Sequence, residues 1–325
     1  MVQLIRNKGL FGVLTGLVII VLSKWFFDTV PDTPQVTYTP LFAALKTRVS
    51  AVPYLDITLG LTFMVLQGIL LTFFLNYHKV IKERSFFTFI IYIMVAGVYS
   101  EQFYLNPASF LNFFLILIID RMLKLQDIGK NPGTLFLDIG TLAGCTLLFS
   151  KEAMFYLPII VIGVIIVYTY SSNSIIIMLM SMFIVMFITA CIYYLSNSFG
   201  EFGSFFSFNT INIGISYSHW QERFYVLLGL IVALSIIAFV HFQFTSSKIT
   251  NKTRRFAGVF DLLWFVALLI VVFQQLNLWT NMALFAIPIS VFATSYFQEE
   301  KGMDWFKNLV FFIFIAGLIS VQLNY

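Results

Sequence analysis

Residues 174–196, SIIIMLMSMFIVMFITACIYYLS, form an apolar stretch of 23 residues without a single charged side chain. An α-helix needs roughly 20 mainly apolar residues to cross a hydrocarbon core about 30 Å thick. We therefore predict that this segment is a transmembrane helix and that the bilayer is the solvent of the chain.

The rest of the chain repeats this pattern of long apolar stretches and short polar gaps. Hydrophobic residues make up 60% of the 325 residues and charged residues only 10%, which excludes an ordinary soluble globular protein. About eleven segments, with a range of roughly nine to twelve, are long enough to be spans. They lie near residues 9–27, 57–76, 86–100, 107–120, 135–149, 154–170, 174–196, 224–243, 258–275, 282–297 and 308–323. We predict an all-α fold, a polytopic transmembrane helix bundle that forms a single integral-membrane domain over residues 1–325.

Basic residues collect in every second gap between these segments. With the N-terminus in the cytoplasm, about fourteen of the 19 Lys and Arg residues lie on the cytoplasmic side, as the positive-inside bias predicts. An odd number of spans then places the C-terminus outside. The net charge of +4 reflects this orientation and does not indicate a nucleic-acid partner.

The first of two long outer loops covers residues 28–56. Prolines interrupt its first half and exclude a regular helix there. After Thr39 as the N-cap and a proline at the first helical position, apolar residues share one face while Lys46 and Arg48 share the other. This pattern favours an amphipathic helix over residues 40–52 in the membrane interface. A short helix packed on the spans is the alternative.

The second long outer loop covers residues 197–223 and is rich in glycine and phenylalanine. Irregular backbone near lipid is tolerated only where it is buried in protein or lines a cavity, so we expect this loop to fold back onto the bundle. It would form a lid over an outward-facing cavity, with His219, Glu222 and Arg223 as the polar groups that bind a substrate. The alternative is that its aromatic residues belong to the interfacial belt of a membrane protein.

Polar residues inside predicted spans are candidates for a functional role. Asp138 lies one turn inside the fifth predicted span, where it is either a functional group or a partner in an interhelical hydrogen bond. Gln67 is the most central polar side chain, and no carboxylate or histidine lies at the middle of a predicted span. Ion-coupled transporters commonly place their binding sites there. Ion-coupled transport is therefore less favoured than other functions.

Two glycine pairs have the four-residue spacing that lets helix backbones approach closely. Gly12 and Gly16 lie in the first predicted span, and Gly140 and Gly144 lie in the fifth. We use these pairs to predict which faces of the two helices point towards the interior of the bundle.

Motifs of soluble enzymes are absent from the sequence. There is no Gly-rich phosphate loop, no paired His and Glu spacing of a metal site, and no Gly-x-Ser-x-Gly elbow. Cys145 and Cys191 both fall within predicted spans, without the spacing of a disulfide framework or a zinc site. The sequence thus predicts neither a cofactor nor a metal.

A resemblance to known families lies between Asn106 and Val167. This region consists of an Asn-Pro dipeptide, a span, a basic loop with Arg121 and Lys124, and the stretch FLDIGTLAGCTLLFSKEAMFYLPIIVIGVIIV at residues 136–167. It resembles the corresponding region of an uncharacterised bacterial family of multi-pass envelope proteins. More distantly, the order of Gly-x-x-x-Gly span, outer Lys-containing turn and Pro-bearing span is similar to type C glycosyltransferases, which use polyprenyl-phosphate donors.

The resemblance to type C glycosyltransferases implies a catalytic acid in the first outer loop, where Asp28 and Asp32 lie. Such a carboxylate would orient a metal or accept a proton from an incoming hydroxyl while a phosphate or diphosphate leaves. Lys46, Arg48 or Arg223 would neutralise the leaving group. The alternative is that both aspartates are ordinary residues of an exposed polar turn.

Two functions from different classes follow. In the first, an inner-membrane protein of cell-envelope biogenesis handles a lipid-linked glycan in an outward-facing polar cavity, with a glycosyltransferase-like activity as one form. In the second, the chain is a non-catalytic subunit or scaffold of an envelope assembly or export complex, and its Phe-rich surface packs against other membrane chains. The partners are membrane lipids, with a polyprenyl-linked substrate in the first case and other membrane protein subunits in the second. The family resemblance and the absence of an organelle address favour the bacterial cytoplasmic membrane as the location.

Overall fold

A computed structural model of the chain describes residues 38–81, 86–97, 103–126, 132–168, 172–203, 222–246, 251–273, 278–298 and 310–312. Within these ranges the regular structure is helical and contains no β-strand. The all-α prediction is therefore confirmed for the described part of the chain. The first predicted span, 9–27, lies outside the described residues, and the last, 308–323, is described only over three residues.

The described ranges contain eleven helices, which are between 5 and 25 residues long. They are α1 (Pro40–Ser50), α2 (Leu55–Tyr77), α3 (Phe87–Ala96), α4 (Pro107–Lys124), α5 (Pro132–Phe149), α6 (Ala153–Val167), α7 (Ser172–Leu195), α8 (Phe199–Gly203), α9 (Glu222–Ser246), α10 (Asn251–Phe273) and α11 (Leu278–Gln298). All except α1 and α8 overlap a predicted span. The apolar stretches thus identified the helices correctly wherever the structure describes them.

Three helices of the described part, α2, α5 and α7, are long and apolar enough to cross a membrane by length and composition. Shorter apolar stretches occur at Phe87–Ala96, Ala153–Val167, Gly229–Thr245 and Ala283–Gln298. The helix α7 contains all but the last residue of the charge-free stretch 174–196, and it is the least enclosed of the three long helices. Its large apolar side chains stand exposed along most of its length, as a helix face in contact with lipid requires.

The predicted interfacial helix region forms α1, in which Phe42 and Val49 are buried and Arg48 is exposed. Thr39 occupies the N-cap position as predicted, but its hydroxyl does not cap the helix. It donates instead to the carbonyl oxygen of Phe149 at the end of α5, over 3.3 Å. The hydroxyl therefore fixes α1 to a neighbouring helix, and the position of α1 in a membrane interface stays a prediction.

One end of the bundle, which we call the α1 end, joins segments that we predicted on the outer side. Asp56, in the first turn of α2, accepts a hydrogen bond from the backbone N–H of Leu105, just before α4. Gly60, one turn further along α2, lies so close to the backbone of Phe103 and Tyr104 that a Cβ atom there would overlap it. The segment before α4 is thus pressed against the start of α2.

The opposite end, which we call the His78 end, joins segments that we predicted on the cytoplasmic side. His78 follows the last residue of α2 and contacts Asp120 near the end of α4. The carbonyl oxygen of Val167, at the end of α6, accepts hydrogen bonds from Gln126 and Arg255. The last carbonyls of a helix lack partners within the helix, so these two side chains satisfy one of them.

The helix α10 begins earlier than predicted. The apolar stretch predicted a start near residue 258, whereas the helix begins at Asn251 and includes Arg254 and Arg255. Lysine and arginine are good helix formers, and Arg255 gains a partner in Val167 by being held on a helix. The predicted and observed starts differ because hydropathy identifies the apolar part of a helix and not its polar first turns.

The most extensive helix–helix contact of the described part joins α5 and α7. A Cβ atom at Gly140 would overlap the Met178 carbonyl oxygen and the Ser181 hydroxyl, and one at Gly144 would lie 2.9 Å from Cβ of Val185. The glycine pair of the fifth predicted span therefore faces another helix, as its spacing indicated. The pair Gly12 and Gly16 lies outside the described residues.

We expect Gly140→Ala to lower the free energy of unfolding by about 1–3 kcal/mol, because the added methyl group meets the backbone of α7, which cannot rotate away. The matched control is Gly229→Ala in α9, where a Cβ atom has no neighbour within 4 Å. The measurement is thermal unfolding of the purified protein in detergent. Equal unfolding temperatures for the two variants would contradict the proposed close packing of α5 and α7.

Candidate functional site

A cavity of about 560 Å³ lies beneath α1 at the α1 end of the bundle. This volume is within the range of about 300–1,000 Å³ that is typical of small-molecule sites. The described residues that line it come from α1, α2, α4, the end of α5 and the segment before α4: Leu41, Ala44, Leu45, Arg48, Leu59, Phe63, Leu105, Phe110 and Phe149. Eight of these nine side chains are apolar, and the polar cavity that we predicted beneath the two outer loops stays a prediction.

Aromatic rings form one wall of this cavity. The rings of Phe110 and Phe149 are stacked, with centroids 4.4 Å apart and planes inclined by 6°. Phe63 contacts Phe110 at 5.0 Å, and Phe42 packs against the other side of Phe110 at 6.0 Å. Such contacts contribute about 0.5–1.5 kcal/mol each beyond the burial of their area. The wall is therefore held in place by its own packing.

An ion pair holds α1 above the cavity. Lys46 Nζ lies 2.5 Å from Asp56 Oδ2 and donates a second hydrogen bond to the carbonyl oxygen of Leu105 over 3.0 Å. The other carboxylate oxygen, Asp56 Oδ1, accepts from the Leu105 N–H over 3.1 Å. We call these three residues the α1 clamp. Lys46, which we predicted to bind substrate, is engaged in positioning α1.

Arg48 is the charged residue among the described side chains that line the cavity. Its side chain is exposed, and no carboxylate in the described ranges forms an ion pair with it. The two basic residues of α1 therefore differ, although the sequence pattern grouped them together. Lys46 is neutralised by Asp56, while Arg48 keeps its charge at the edge of an apolar space.

The structure describes only some of the other residues that we predicted to form a site on the outer side. The candidate catalytic residues Asp28 and Asp32, and the candidate ligand His219, lie outside the described residues. Glu222 and Arg223 form the first residues of α9 rather than the end of an irregular loop. Their assignment to a substrate site stays a prediction.

Asp138 lies on the surface of α5 and pairs with Arg121 of α4, at 3.3 Å between Oδ2 and Nε. Both side chains are exposed, at 47% and 39% respectively. This is an interhelical contact of the kind that we named as one alternative. An exposed pair of this kind contributes little to stability, about 0–1 kcal/mol.

Gln67 is buried and connects three helices. Its Nε2 donates to the carbonyl oxygen of Ser109 in α4 over 2.7 Å, and its Oε1 accepts from the Tyr92 hydroxyl of α3 over 2.5 Å. One turn further along α4, Asn112 Nδ2 donates to the carbonyl oxygen of Ala283 in α11 over 2.8 Å. Buried polar groups need such partners because an unpaired one costs about 1–3 kcal/mol. These contacts make Gln67 a structural connector.

The sequence did not predict the buried cluster at the His78 end. His78 Nε2 lies 3.1 Å from Asp120 Oδ1, and both side chains are nearly inaccessible to solvent. Lys124 donates to the second oxygen, Asp120 Oδ2, and its Nζ lies 5.9 Å from the ring centroid of Phe74. His78 and Asp120 are 42 residues apart, so no local spacing indicates the pair.

Groups of three or more His, Cys, Asp or Glu side chains that could hold a metal ion do not occur in the described ranges. The cavity lining offers one guanidinium and apolar side chains, which is no donor set for a divalent cation. The part of the site that the structure describes is thus suited to an apolar group with a negative charge at one end.

Comparison with known proteins identifies the family of this chain. Residues 37–324 match the model of a family of unknown function, DUF6427. The chain belongs to this family. No curated protein and no solved structure matches it. The resemblance to an uncharacterised family is therefore confirmed, while the bacterial origin and the similarity of this DUF6427 member to type C glycosyltransferases stay predictions.

We expect Asp56→Asn to lower the free energy of unfolding by about 1–2 kcal/mol, because it removes the ion pair with Lys46 in a partly buried setting. The matched control is Asp138→Asn, which removes an ion pair in an exposed setting and should change stability by less than about 0.5 kcal/mol. Chemical denaturation in mixed micelles measures both values. If the two variants lost the same stability, the α1 clamp would be no stronger than a surface ion pair.

Proposed function

We propose that this DUF6427 member is a multi-pass protein of the bacterial cytoplasmic membrane that handles a lipid-linked glycan or a related precursor of the cell envelope. In this proposal the chain has about eleven spans, with the N-terminus in the cytoplasm and the C-terminus outside. The cavity beneath α1 is open to the outer side and receives the lipid part of the precursor.

The membrane topology is supported by the two ends of the bundle. Segments predicted on the outer side meet at the α1 end, where Asp56 contacts Leu105. Segments predicted on the cytoplasmic side meet at the His78 end, where His78 contacts Asp120. The helix α2 connects the two ends with 23 residues, a length of roughly 34 Å at 1.5 Å per residue. This length fits a hydrocarbon core of about 30 Å.

The cavity beneath α1 carries the functional proposal. A site for a soluble sugar or nucleotide would need several convergent polar groups, and the described lining holds only Arg48. An apolar lining at the edge of a membrane is suited to a hydrocarbon chain, which loses no hydrogen bonds on entering it. A lipid-linked substrate would place its chain here and its polar part outside.

Catalysis is a further step of this proposal and falls to two aspartates of the first outer loop. Asp28 or Asp32 precedes α1 in the chain and would act as the base for an incoming hydroxyl. The glycosyltransferase-like activity rests on the distant resemblance and on this position in the sequence. A protein that only binds or moves the lipid would use the same cavity without either aspartate.

The alternative function is a non-catalytic subunit or scaffold of an envelope assembly. The observation that favours it is the face of α7, where Phe183 and Phe187 are about 60% exposed and stack on one another at 6.3 Å. Aromatic side chains are frequent in contacts between proteins. A partner helix from another membrane chain could pack on this face in place of lipid. Co-purification of a second membrane protein that depends on Phe183 and Phe187 would support this alternative.

We expect Ala44→Trp to remove a co-purifying lipid from the protein, because the indole would fill the cavity from α1. Ala44 lines the cavity but is exposed, so a larger side chain there leaves the buried core intact. The matched control is Ala51→Trp at the C-cap of α1, which is also exposed and lies outside the lining.

The measurement is mass spectrometry of lipids extracted from the purified variants after expression in bacteria. The proposal predicts a polyprenyl-linked glycan or a related precursor with the wild type and with Ala51→Trp, and its loss with Ala44→Trp. The same bulk phospholipids in all three samples, without a precursor, would contradict the proposed function.

A further inference from the structure

The cavity beneath α1 is asymmetric in charge. Its lining includes the rings of Phe63, Phe110 and Phe149 and one charged residue, Arg48, which lies in the last turn of α1. This lining favours an elongated ligand that places its apolar part against the rings and its end group at Arg48. The end group is the part whose chemistry remains to be assigned.

The charges around the cavity favour a ligand whose end group is an anion. Asp56 is occupied by Lys46 and by the N–H of Leu105, so the α1 clamp is neutral as a unit. Arg48 has no carboxylate partner in the described ranges and adds one full positive charge at the cavity edge. A guanidinium favours planar or tetrahedral oxyanions, which it binds through two parallel hydrogen bonds.

We infer that the cavity binds a phosphate-bearing lipid from the surrounding bilayer, with one hydrocarbon chain against the aromatic wall and the phosphate on Arg48. This inference deepens the proposed function, on which it rests, by naming the charged group that the site recognises. Arg48 is a binding residue in this assignment, and Lys46 and Asp56 position it by holding α1 in place.

The size of the cavity limits how much of the lipid it can hold. A volume of about 560 Å³ is that of a drug-sized ligand, so the rest of a long chain must extend into the bilayer. Specificity then comes from the phosphate and from the first part of the chain. Headgroup atoms beyond the phosphate lie outside the cavity and are free to vary.

Photo-crosslinking in a bilayer tests this inference. The full-length protein is reconstituted in nanodiscs of digalactosyldiacylglycerol, a bilayer lipid without phosphate, with one of two probes, a dodecyl phosphate or a dodecanol, each carrying the same diazirine in its chain. Mass spectrometry of peptides locates the crosslinks. The phosphate probe should label peptides that contain the lining residues Leu45, Leu59 or Phe110, and it should label them more strongly than the alcohol probe does.

Variants of Arg48 separate charge recognition from simple partition into an apolar space. Arg48→Gln should lower labelling of the lining by the phosphate probe about tenfold or more, because a hydrogen-bonded charge is lost. Arg48→Lys keeps the charge and should retain most of the labelling. The matched control is Arg254→Gln, which removes one exposed positive charge at the other end of the bundle and should have no effect.

Competitors separate a lipid phosphate from a free one. Unlabelled dodecyl phosphate should suppress labelling, and inorganic phosphate at the same concentration should not. Suppression by inorganic phosphate would overturn the inference in favour of a site for a soluble anion. Equal labelling by the two probes, or full labelling of Arg48→Gln, would show a lipid cavity without anion recognition and would overturn the inference while leaving the proposed function intact.

Failure of the proposed function itself would have a different signature. Neither probe would then label the lining, and Ala44→Trp would change nothing in the crosslinking pattern. Labelling that is confined to the exposed face of α7 would also contradict the proposed function, since it reports ordinary contact with bilayer lipid.

Discussion

Where a chain passes through hydrocarbon, each polar group must find its hydrogen-bond partner within the protein. The rest of this fold depends on that constraint. Helices satisfy the backbone without outside partners, and helices are what the described ranges contain. Two buried amide side chains form such contacts between helices. Gln67 is paired with Tyr92 and with the Ser109 carbonyl, and Asn112 reaches the Ala283 carbonyl. These contacts connect α2, α3, α4 and α11 at points where apolar packing alone would leave the helices free to slide.

Charges follow the same constraint at the two ends of the bundle. Asp120 is enclosed by His78 and Lys124 at one end, and Asp56 is enclosed by Lys46 and the backbone of Leu105 at the other. Breaking a buried pair leaves an uncompensated charge, which is far more costly than the pair itself is favourable. Against this background Arg48 is an exception, because no carboxylate in the described ranges pairs with it, and its position at an apolar cavity is the basis of the proposed anion site.

The sequence predicted the elements that have a local signal and missed those that depend on distant residues. The apolar stretches located the helices, and the Gly140 and Gly144 spacing indicated the face of α5 that packs on α7, because both signals lie within one helix. The partner of His78 is 42 residues away, and the partner of Asp56 in the backbone is 49 residues away. No pattern within one segment could reveal them. The same limit explains Lys46 and Arg48, which the sequence pattern grouped together although they are two residues apart on α1 and differ in their neighbours from α2.

The most direct test of this account is the labelling of single cysteines at the two ends of the bundle in cells. In a background with Cys145 and Cys191 replaced by serine, Ser50→Cys reports on the α1 end and Tyr77→Cys on the His78 end; both positions are exposed. A membrane-impermeant maleimide reacts with the thiolate, which forms only in contact with water. The account predicts labelling of Ser50→Cys in intact cells and of Tyr77→Cys only after permeabilisation. Labelling of both positions in intact cells, or of neither, would contradict a bundle whose two ends face opposite compartments.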